Sequence, residues 1–380
     1  LLFGGQSAEH EVSCVTAAHV LAALDPNEFR VTPIGITIEG VWVHAHEALK
    51  VQGLALNLSD PSNPGDQVGR AEIGALKVAG DPIDIGAVLA AAVTYTPPAV
   101  VLPMLHGPLG EDGTIQGLLE LSGIAYVGSG VLGSALAMDK AMAKQVLGSL
   151  SIPQVRYIAA HEADYRSGTP GDFCASVVDQ LGLPCFVKPA NMGSSVGVSR
   201  ATDLPALREA IETALTYDQW LVFEEAVTAR EIEVAVIGNQ DPEASIPGEI
   251  RPADEFYSYT DKYLAGTAEL LIPAPLSPAE VSEVQELAVT VYRALRCEGL
   301  ARVDFFFESP GRGFLCSEVN TMPGFTPISM FPKMWQHSGL EYPDLIRRLI
   351  DLALQRAAGR RRVTVRQPTS RGERSAKESH

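Results

Sequence analysis

The 380-residue sequence contains no run of about 18 consecutive apolar residues, the length a membrane-spanning helix needs. It does not open on a charged segment followed by an apolar one, so no secretory signal is expected, and the protein reads as soluble and cytoplasmic with no membrane partner. Its first residues, LLFGGQ, already have the character of a strand, and further residues are expected to precede them. Excess positive charge is missing too: 29 Lys+Arg face 46 Asp+Glu, a formal net charge of −17. Duplex nucleic acid favours a basic face, so none is expected as a partner. Only the end departs from this balance, with eight basic and two acidic residues between positions 356 and 380. With almost no apolar periodicity, residues 358–380 read as a disordered basic tail, either a solvated extension or a nucleic-acid contact. The five cysteines (Cys14, Cys174, Cys185, Cys297, Cys316) include no C-x-x-C pair and read as buried thiols in a reducing compartment. A P-loop is missing as well. The stretch KPANMGSSVGVS at 188–199 has the glycines and hydroxyls of a phosphate cradle, but its lysine stands before the glycines rather than after them.

What is present is the alternation of an α/β protein. LLFGG, then a helical pattern over 11–24, then RVTPIGIT, VVLPMLHG, the helical TIQGLLELSG and the strand IAYVGSG imply a parallel sheet with helices in residues 1–128. DPSNPGDQVGRAEIG reads as a polar excursion. A second unit, 129–223, starts with the helical GSALAMDKAMAKQVLGS, closed by Gly148. It continues through the strand PCFVKPA, a helix over 204–215 and the strand QWLVFEEAV. A third unit, 224–357, holds the strands EIEVAVIG, ARVDFFFE and GFLCSEVN and helices over 279–297 and 342–357. There is no internal repeat.

The strongest chemical signal is ARVDFFFESPGRGFLCSEVN. Two β-rich runs flank SPGRG, a five-residue hairpin loop. Centred on Gly311, the hairpin sets Asp304 opposite Glu318 and Arg302 opposite Asn320, and strand alternation turns all four to one face. Two carboxylates facing each other across a ladder repel. A cation between them removes that conflict, and an Asp/Glu/Asn oxygen set suits Mg²⁺ held jointly with phosphates. The alternative is a solvated Arg–Asp–Glu network. The following TMPGFTPISMFP is a stiff loop in which Gly324 would give one arm of an oxyanion hole and Arg302 the charged arm, or a structural turn only. Lys140, Lys188 and Lys262 are the cations available to phosphate. Lys188 follows the apolar CFV, where its charge is costly without an anion. Residues 253–270 mix glycine, tyrosine and charge without a period, as a mobile lid does.

These stretches, with GGQSAEHEVS, LHGPLGEDGTIQG, GSGVLGSALAMDK, DKYL, RVDFF and EVNTMPGFTPISMFP, make the chain resemble the D-alanine–D-alanine ligases of the ATP-grasp family across about residues 3–332. The resemblance implies a parallel α/β N-terminal domain followed by a two-part ATP-grasp fold. It implies ATP-dependent joining of two D-alanines through a D-alanyl phosphate for cell-wall precursor synthesis, with two Mg²⁺ or Mn²⁺ ions, and by analogy a homodimer. Lys140 and Lys188 would meet the phosphates, and the GSSVG loop, carrying Ser195, would fold over them. Glu224 and the backbone of Glu225, Ala226 and Val227 would hold adenine, Glu231 the ribose and Lys262 the γ-phosphate. Asp304, Glu318 and Asn320 match the magnesium ligands. Glu9 would bind the first D-alanine's ammonium and form a triad with Ser194 and Tyr263. His106 would lie by that substrate's carboxylate, with Glu111 beside it. Ser329 and the Met330 backbone would hold the second carboxylate. Alanine at 226 stands where a bulkier residue is frequent, and the tyrosine of DKYL is the form tied to dipeptide rather than depsipeptide synthesis.

Three rivals remain on the sequence. GSGVLG at 128–133 is a formal G-x-G-x-x-G between strand and helix, but no acidic residue ends the next strand, as a dinucleotide site expects. A D-alanyl-D-lactate or D-alanyl-D-serine ligase would share the fold. A regulatory nucleotide-binding protein would keep the ATP residues without needing Glu9, Ser194, Tyr263 and Arg302 together.

Overall fold

The computed structural model describes residues 1–57, 73–251 and 269–360. The sequence-assigned excursion lies largely outside these residues, as do most of the lid, with Lys262 and Tyr263, and the tail beyond residue 360. In the first unit, strands β1 (Leu2–Gly4) and β2 (Ile34–Ile36) run parallel around helix α1 (His10–Ala23). Gly4 adopts φ +87°, and a Cβ there would lie 2.3 Å from the Ile36 carbonyl oxygen, so the close approach of the two strands at this point needs glycine. Strands β3 (Trp42–His44) and β4 (Asp81–Pro82) extend this sheet antiparallel beyond β2. After α2 (Ile85–Ala92), β5 (Val100–Val101), α3 (Thr114–Leu121) and β6 (Ala125–Tyr126), the parallel theme returns. Here β5 pairs with β6, and Leu2 bridges Pro103.

The helical stretch that composition assigned to one element is two, α4 (Val131–Met138) and α5 (Lys140–Ser149). Asp139 separates them. Its backbone is extended, and its carboxylate accepts from the Met142 N–H as the N-cap of α5, which starts the new helix at Lys140. A four-stranded antiparallel sheet follows, built from β7 (Tyr157–His161), β8 (Cys185–Pro189), β9 (Ser199–Ala201) and β10 (Trp220–Glu225) in the order β7-β10-β8-β9. Helices α6 (Glu162–Arg166), α7 (Pro170–Leu181) and α8 (Leu204–Ala214) belong to this unit, and Val177, Leu207, Ile211 and Phe223 share its core.

The larger sheet runs β14-β13-β11-β15-β16, with β12 on β11. Its strands are β11 (Arg230–Gly238), β12 (Glu243–Ala244), β13 (Gly248–Arg251), β14 (Glu269–Leu271), β15 (Gly299–Glu308) and β16 (Gly313–Asn320). Helix α9 (Pro278–Ala294) opens on a Ser277/Glu280 capping box with Pro278 at its first position, and buries Val284, Ala288 and Val291. Two helices close the chain, α10 (Met330–His337) and α11 (Tyr342–Arg360), the second continuing three residues into the stretch read as tail. Among the described residues no helix is long and apolar enough to cross a membrane. All five cysteines are buried and free.

The glycine fingerprint at 128–133 serves packing. A Cβ on Gly133 would sit 2.4 Å from the Arg296 carbonyl oxygen, and one on Gly130 would sit 2.3 Å from an Arg360 nitrogen. Arg356 of α11, itself buried, donates to the carbonyls of Tyr126 and Gly128 and lies over the Tyr126 ring at 4.1 Å. These glycines admit arginines and backbone where a dinucleotide fingerprint would admit a pyrophosphate.

Candidate active site

A cavity of about 500 Å³ lies between the β7-β10-β8-β9 sheet and the larger sheet. Apolar Phe186, Val227, Ile250 and Phe306 share its lining with Lys140, Lys188, Glu231, Asp304 and Glu318, a mixture suited to a flat base and a charged tail.

On one wall, β8 and β10 carry Lys188 and Glu224. Glu224 is buried, yet its two oxygens stand 2.8 Å from Lys144 Nζ and 2.6 Å from Lys188 Nζ. Burial pushes the Glu224 carboxyl up, but the two ammoniums outweigh it and hold the group at about 2. Burial lowers the Lys188 ammonium, and Glu224 more than restores it, so both stay charged. The side chain expected to meet adenine thus carries two lysines. Glu225 points elsewhere, accepting from Arg156 N–H and Nε at 2.8 Å and from Arg312 at 2.6 Å. The backbone N–H groups of Glu225 and Ala226 donate to the carbonyls of Arg156 and Pro184, so neither amide is offered to a base, and Val227 lines the cavity.

On the opposite wall, the β15–β16 hairpin has the expected pairs, Asp304 with Glu318 and Arg302 with Asn320. The turn differs from its expected form. It spans four residues, pairing Glu308 with Gly313, and Ser317 is an extra residue that shifts the register back between Phe305 and Asp304. On the other side of β15, Glu233 of β11 pairs with Asp304, so Glu233, Asp304 and Glu318 form one row across three strands. Arg302 sits in it: Nε and Nη2 each donate to Asp304 at 2.7 Å, and Nε lies 3.1 Å from Glu233. Burial lowers its guanidinium, but Asp304, Glu233 and Glu318 carry it well above the ordinary value. Asn320 donates to Asp304 at 3.0 Å, and Lys140 stands 3.7 Å from Glu318. The Arg–Asp–Glu network of the alternative is thus present, but it lines a cavity rather than a solvated face, and Glu233 is 4% exposed.

The 190–198 loop ties the walls to the first unit. Lys140 Nζ donates to the Met192 carbonyl at 2.6 Å. Ser194, at φ +50°, donates through its hydroxyl to Glu9, the N-cap residue of α1. Glu9 is buried between two glycines, and Cβ atoms on Gly107 and Gly193 would lie 2.6 and 2.9 Å from its Oε2. Glu9 and Ser194 therefore meet as expected, with Tyr263 outside the described residues.

His106 and Glu111 brace the loop before Gly324. His106 Nδ1 is 2.9 Å from the Met322 carbonyl oxygen, which requires Nδ1–H to donate, and Nε2 is 3.3 Å from Thr16 Oγ1. Burial lowers its pKa. The Glu111 oxygens accept from the N–H groups of Gly107 at 2.8 Å and Met322 at 3.1 Å. Burial and the charge of Glu9 raise its carboxyl to about 8. Neither side chain lines the cavity. Ser329 is the N-cap residue of α10, with Met330 the helix's first residue; the Ser329 hydroxyl bonds to Thr326 and lies 3.2 Å from where a Gly324 Cβ would stand. Gly324 thus adjoins a helix N-terminus, a natural seat for a carboxylate.

The sequence reading missed Lys144 and Glu233. Lys144 is one turn from Lys140 on α5, and Glu233 shares the face of Glu231 on β11, but neither spacing alone marks a buried or cavity-lining residue.

Two antiparallel sheets closing on a nucleotide-sized cavity, lysines on one wall and carboxylates on the other, define an enzyme of the ATP-grasp class. Family models described as D-ala D-ala ligase N-terminus and D-ala D-ala ligase C-terminus match residues 1–129 and 146–351. The chain belongs to the D-alanine–D-alanine ligase family. It is 43% identical over 370 residues to the D-alanine--D-alanine ligase of Geobacillus kaustophilus, covering 96% of each chain. It is 43% identical to that of Bacillus pumilus, over 94% of this chain and 95% of that one. Among solved structures, the D-alanine-D-alanine ligase from Coxiella burnetii superposes with a TM-score of 0.74 at 32% identity, over 95% of this chain and 94% of that one. The VanG D-Ala:D-Ser ligase from Enterococcus faecalis gives 0.72 at 32%, over 93% and 98%.

Proposed function

We propose that the protein joins two D-alanine molecules into D-alanyl-D-alanine with cleavage of ATP to ADP and phosphate, supplying a peptidoglycan precursor. The observation that carries this reading is the row of Asp304 and Glu318, threaded by Arg302, with Lys140 3.7 Å from Glu318 and Lys188 lining the same cavity from β8. In this reading residues 1–128 bring the first D-alanine, and 129–223 and 224–357 hold the nucleotide. The homodimer expected from the resemblance is tested by light scattering.

The donor set fits a divalent cation. Among the described residues no three His, Cys, Asp or Glu side chains form a ready-made metal centre. Asp304, Glu318 and Asn320 supply three oxygen donors and leave the remainder to phosphates, which suits Mg²⁺ better than an all-protein cage. When bound, the ion would offset triphosphate charge and polarise the γ-phosphoryl group.

The chain's own residues account for the rest. Lys140 and Lys188 draw in the phosphates, Glu231 meets the ribose, and Lys262 serves the γ-phosphate. Ser195, at φ +59° on the loop over the cavity, closes on the phosphates. Glu9 holds the first D-alanine's ammonium, which directs its carboxylate towards phosphoryl transfer and a D-alanyl phosphate. His106 and Glu111 act on this substrate through the Met322 segment. The second D-alanine, its carboxylate at Ser329 and the Met330 N–H, attacks as a free amine, since an ammonium has no lone pair. As the C–N bond forms, the amine loses a proton and the acyl C–O bond breaks to release phosphate. Arg302 Nη1, which Asp304 does not engage, and the Gly324 N–H meet the tetrahedral oxyanion.

The test is coupled ADP release with D-alanine against L-alanine, with D-serine and D-lactate as competing second substrates. Equal rates for the two alanine isomers overturn the proposal. A preference for D-serine or D-lactate moves the assignment to the depsipeptide or D-alanyl-D-serine branch.

A further inference from the structure

Lys144 is 2% exposed, with no place among the nucleotide or substrate contacts described above. A buried ammonium is unfavourable unless an anion meets it. Its anion is Glu224, which also holds Lys188 from its other oxygen. The Tyr157 ring, on the strand paired with Glu224, lies 5.3 Å from Lys144 Nζ. The three charges are stacked from the core outward: Lys144 sealed inside, Glu224 between, and Lys188 lining the cavity. Without Lys144, Glu224 and Lys188 would cancel. With it the group carries a net charge of +1, and Lys188 is the member with room to reach a ligand.

We infer that Lys144 is a positioning residue for the nucleotide's phosphates: it neutralises Glu224 from behind, so that Glu224 fixes Lys188 in place without cancelling the charge Lys188 offers to the cavity. This rests on the reading of Lys188 as a phosphate contact. A lysine stem has four rotatable carbons and a compact charge, so a fixed acceptor is what gives it a defined position. A lone carboxylate would give Lys188 that position and remove its attraction for an anion. A second buried lysine resolves the conflict, and the two ammoniums, on opposite oxygens of one carboxylate, repel each other so that Lys188 is directed away from the core.

The test compares ADP with adenosine, both titrated calorimetrically against the full chain in excess Mg²⁺. The ratio of their dissociation constants isolates the phosphate contribution. Lys188→Met is expected to reduce that ratio at least about tenfold, the scale of a lost charge-assisted contact. Lys144→Met is expected to reduce it by a similar factor while leaving adenosine binding unmoved. Adding Glu224→Gln to Lys144→Met is expected to return the ratio to within about threefold of the parent, a coupling that two independent sites would not show. A purely structural role for Lys144 would move ADP and adenosine together and would not be rescued. An unchanged ratio in Lys144→Met, or no recovery in the double variant, overturns the inference. If Lys188→Met itself leaves the ratio unchanged, the phosphate role of Lys188 falls and the inference with it. A weakened Lys188→Met beside an intact Lys144→Met removes the inference alone. Should Lys144→Met not fold, the double variant decides: a ratio near the parent supports the inference, and a tenfold loss ends it.

Discussion

Arg302 is the residue whose removal separates the proposed chemistry from mere charge balance. Arg302→Ala deletes a guanidinium with two 2.7 Å bonds to Asp304 and a 3.1 Å approach to Glu233. It leaves Glu233, Asp304 and Glu318 side by side, with Lys140 3.7 Å from Glu318 as the described cation nearest the row. Three effects follow, with different signs. Breaking a buried pair by deleting one partner costs about 3–5 kcal/mol of stability. Losing the oxyanion donor lowers kcat by about 10²–10³, equivalent to about 2.7–4 kcal/mol of transition-state stabilisation. Asp304, freed of its guanidinium, is at the same time a better metal ligand, so Mn²⁺ binding in the presence of ADP should hold or tighten. Arg302→Lys keeps the charge but cannot span Asp304 with two donors, and should keep the fold while still losing at least about tenfold in kcat. Coupled ADP release gives kcat, urea melts give stability, and Mn²⁺ paramagnetic resonance gives metal affinity. Turnover within about threefold of the parent in both folded variants would refute the oxyanion role. A parallel loss of Mn²⁺ affinity would refute the claim that Arg302 competes with metal for Asp304.

Three further outcomes are expected. Gly107→Ala places a Cβ 2.6 Å from Glu9 Oε2 at φ +74°, so the KM for D-alanine should rise about tenfold while that for ATP stays put, as steady-state kinetics can show. Glu111, raised to about 8 from 4.5, keeps a proton in the folded state that the unfolded chain releases. Its contribution to stability is therefore full below the unfolded value and lost as pH rises towards 8, so Glu111→Gln should gain Tm relative to the parent between pH 5 and 8; a constant difference would contradict this. Tyr292, fully buried, donates to the Gly238 carbonyl at 2.8 Å, and Tyr292→Phe should cost about 1–3 kcal/mol in urea unfolding with kcat unchanged.

The β15–β16 hairpin was legible because its logic is local: two β runs, a glycine-proline turn and two carboxylates that need a cation among them, a place the Arg302 guanidinium takes in the structure. Even there, the expected register at Asp304 survived only because the bulge at Ser317 compensates for a shorter turn. Glu233 was not legible, since nothing in EIEVAVIG says that its neighbour is the strand carrying Asp304. Lys144 was hidden by the opposite problem. A lysine one turn from another on a helix reads as a solvated face, and only the sheet stacked beneath shows it to be buried. The break at Asp139 carried a readable capping signal that helical composition on both sides concealed. The glycines at 128–133 show the limit of a motif: their spacing is that of a phosphate turn, but Gly133 makes room for the Arg296 backbone and Gly130 for Arg360.

That last contact bears on how the polypeptide completes itself during synthesis. Arg356 and Arg360 reach back more than two hundred positions to Tyr126, Gly128 and Glu120. The exit of the first unit is thus fastened by the last turns of α11. A nascent chain stalled before residue 356 would leave those carbonyls without their arginine.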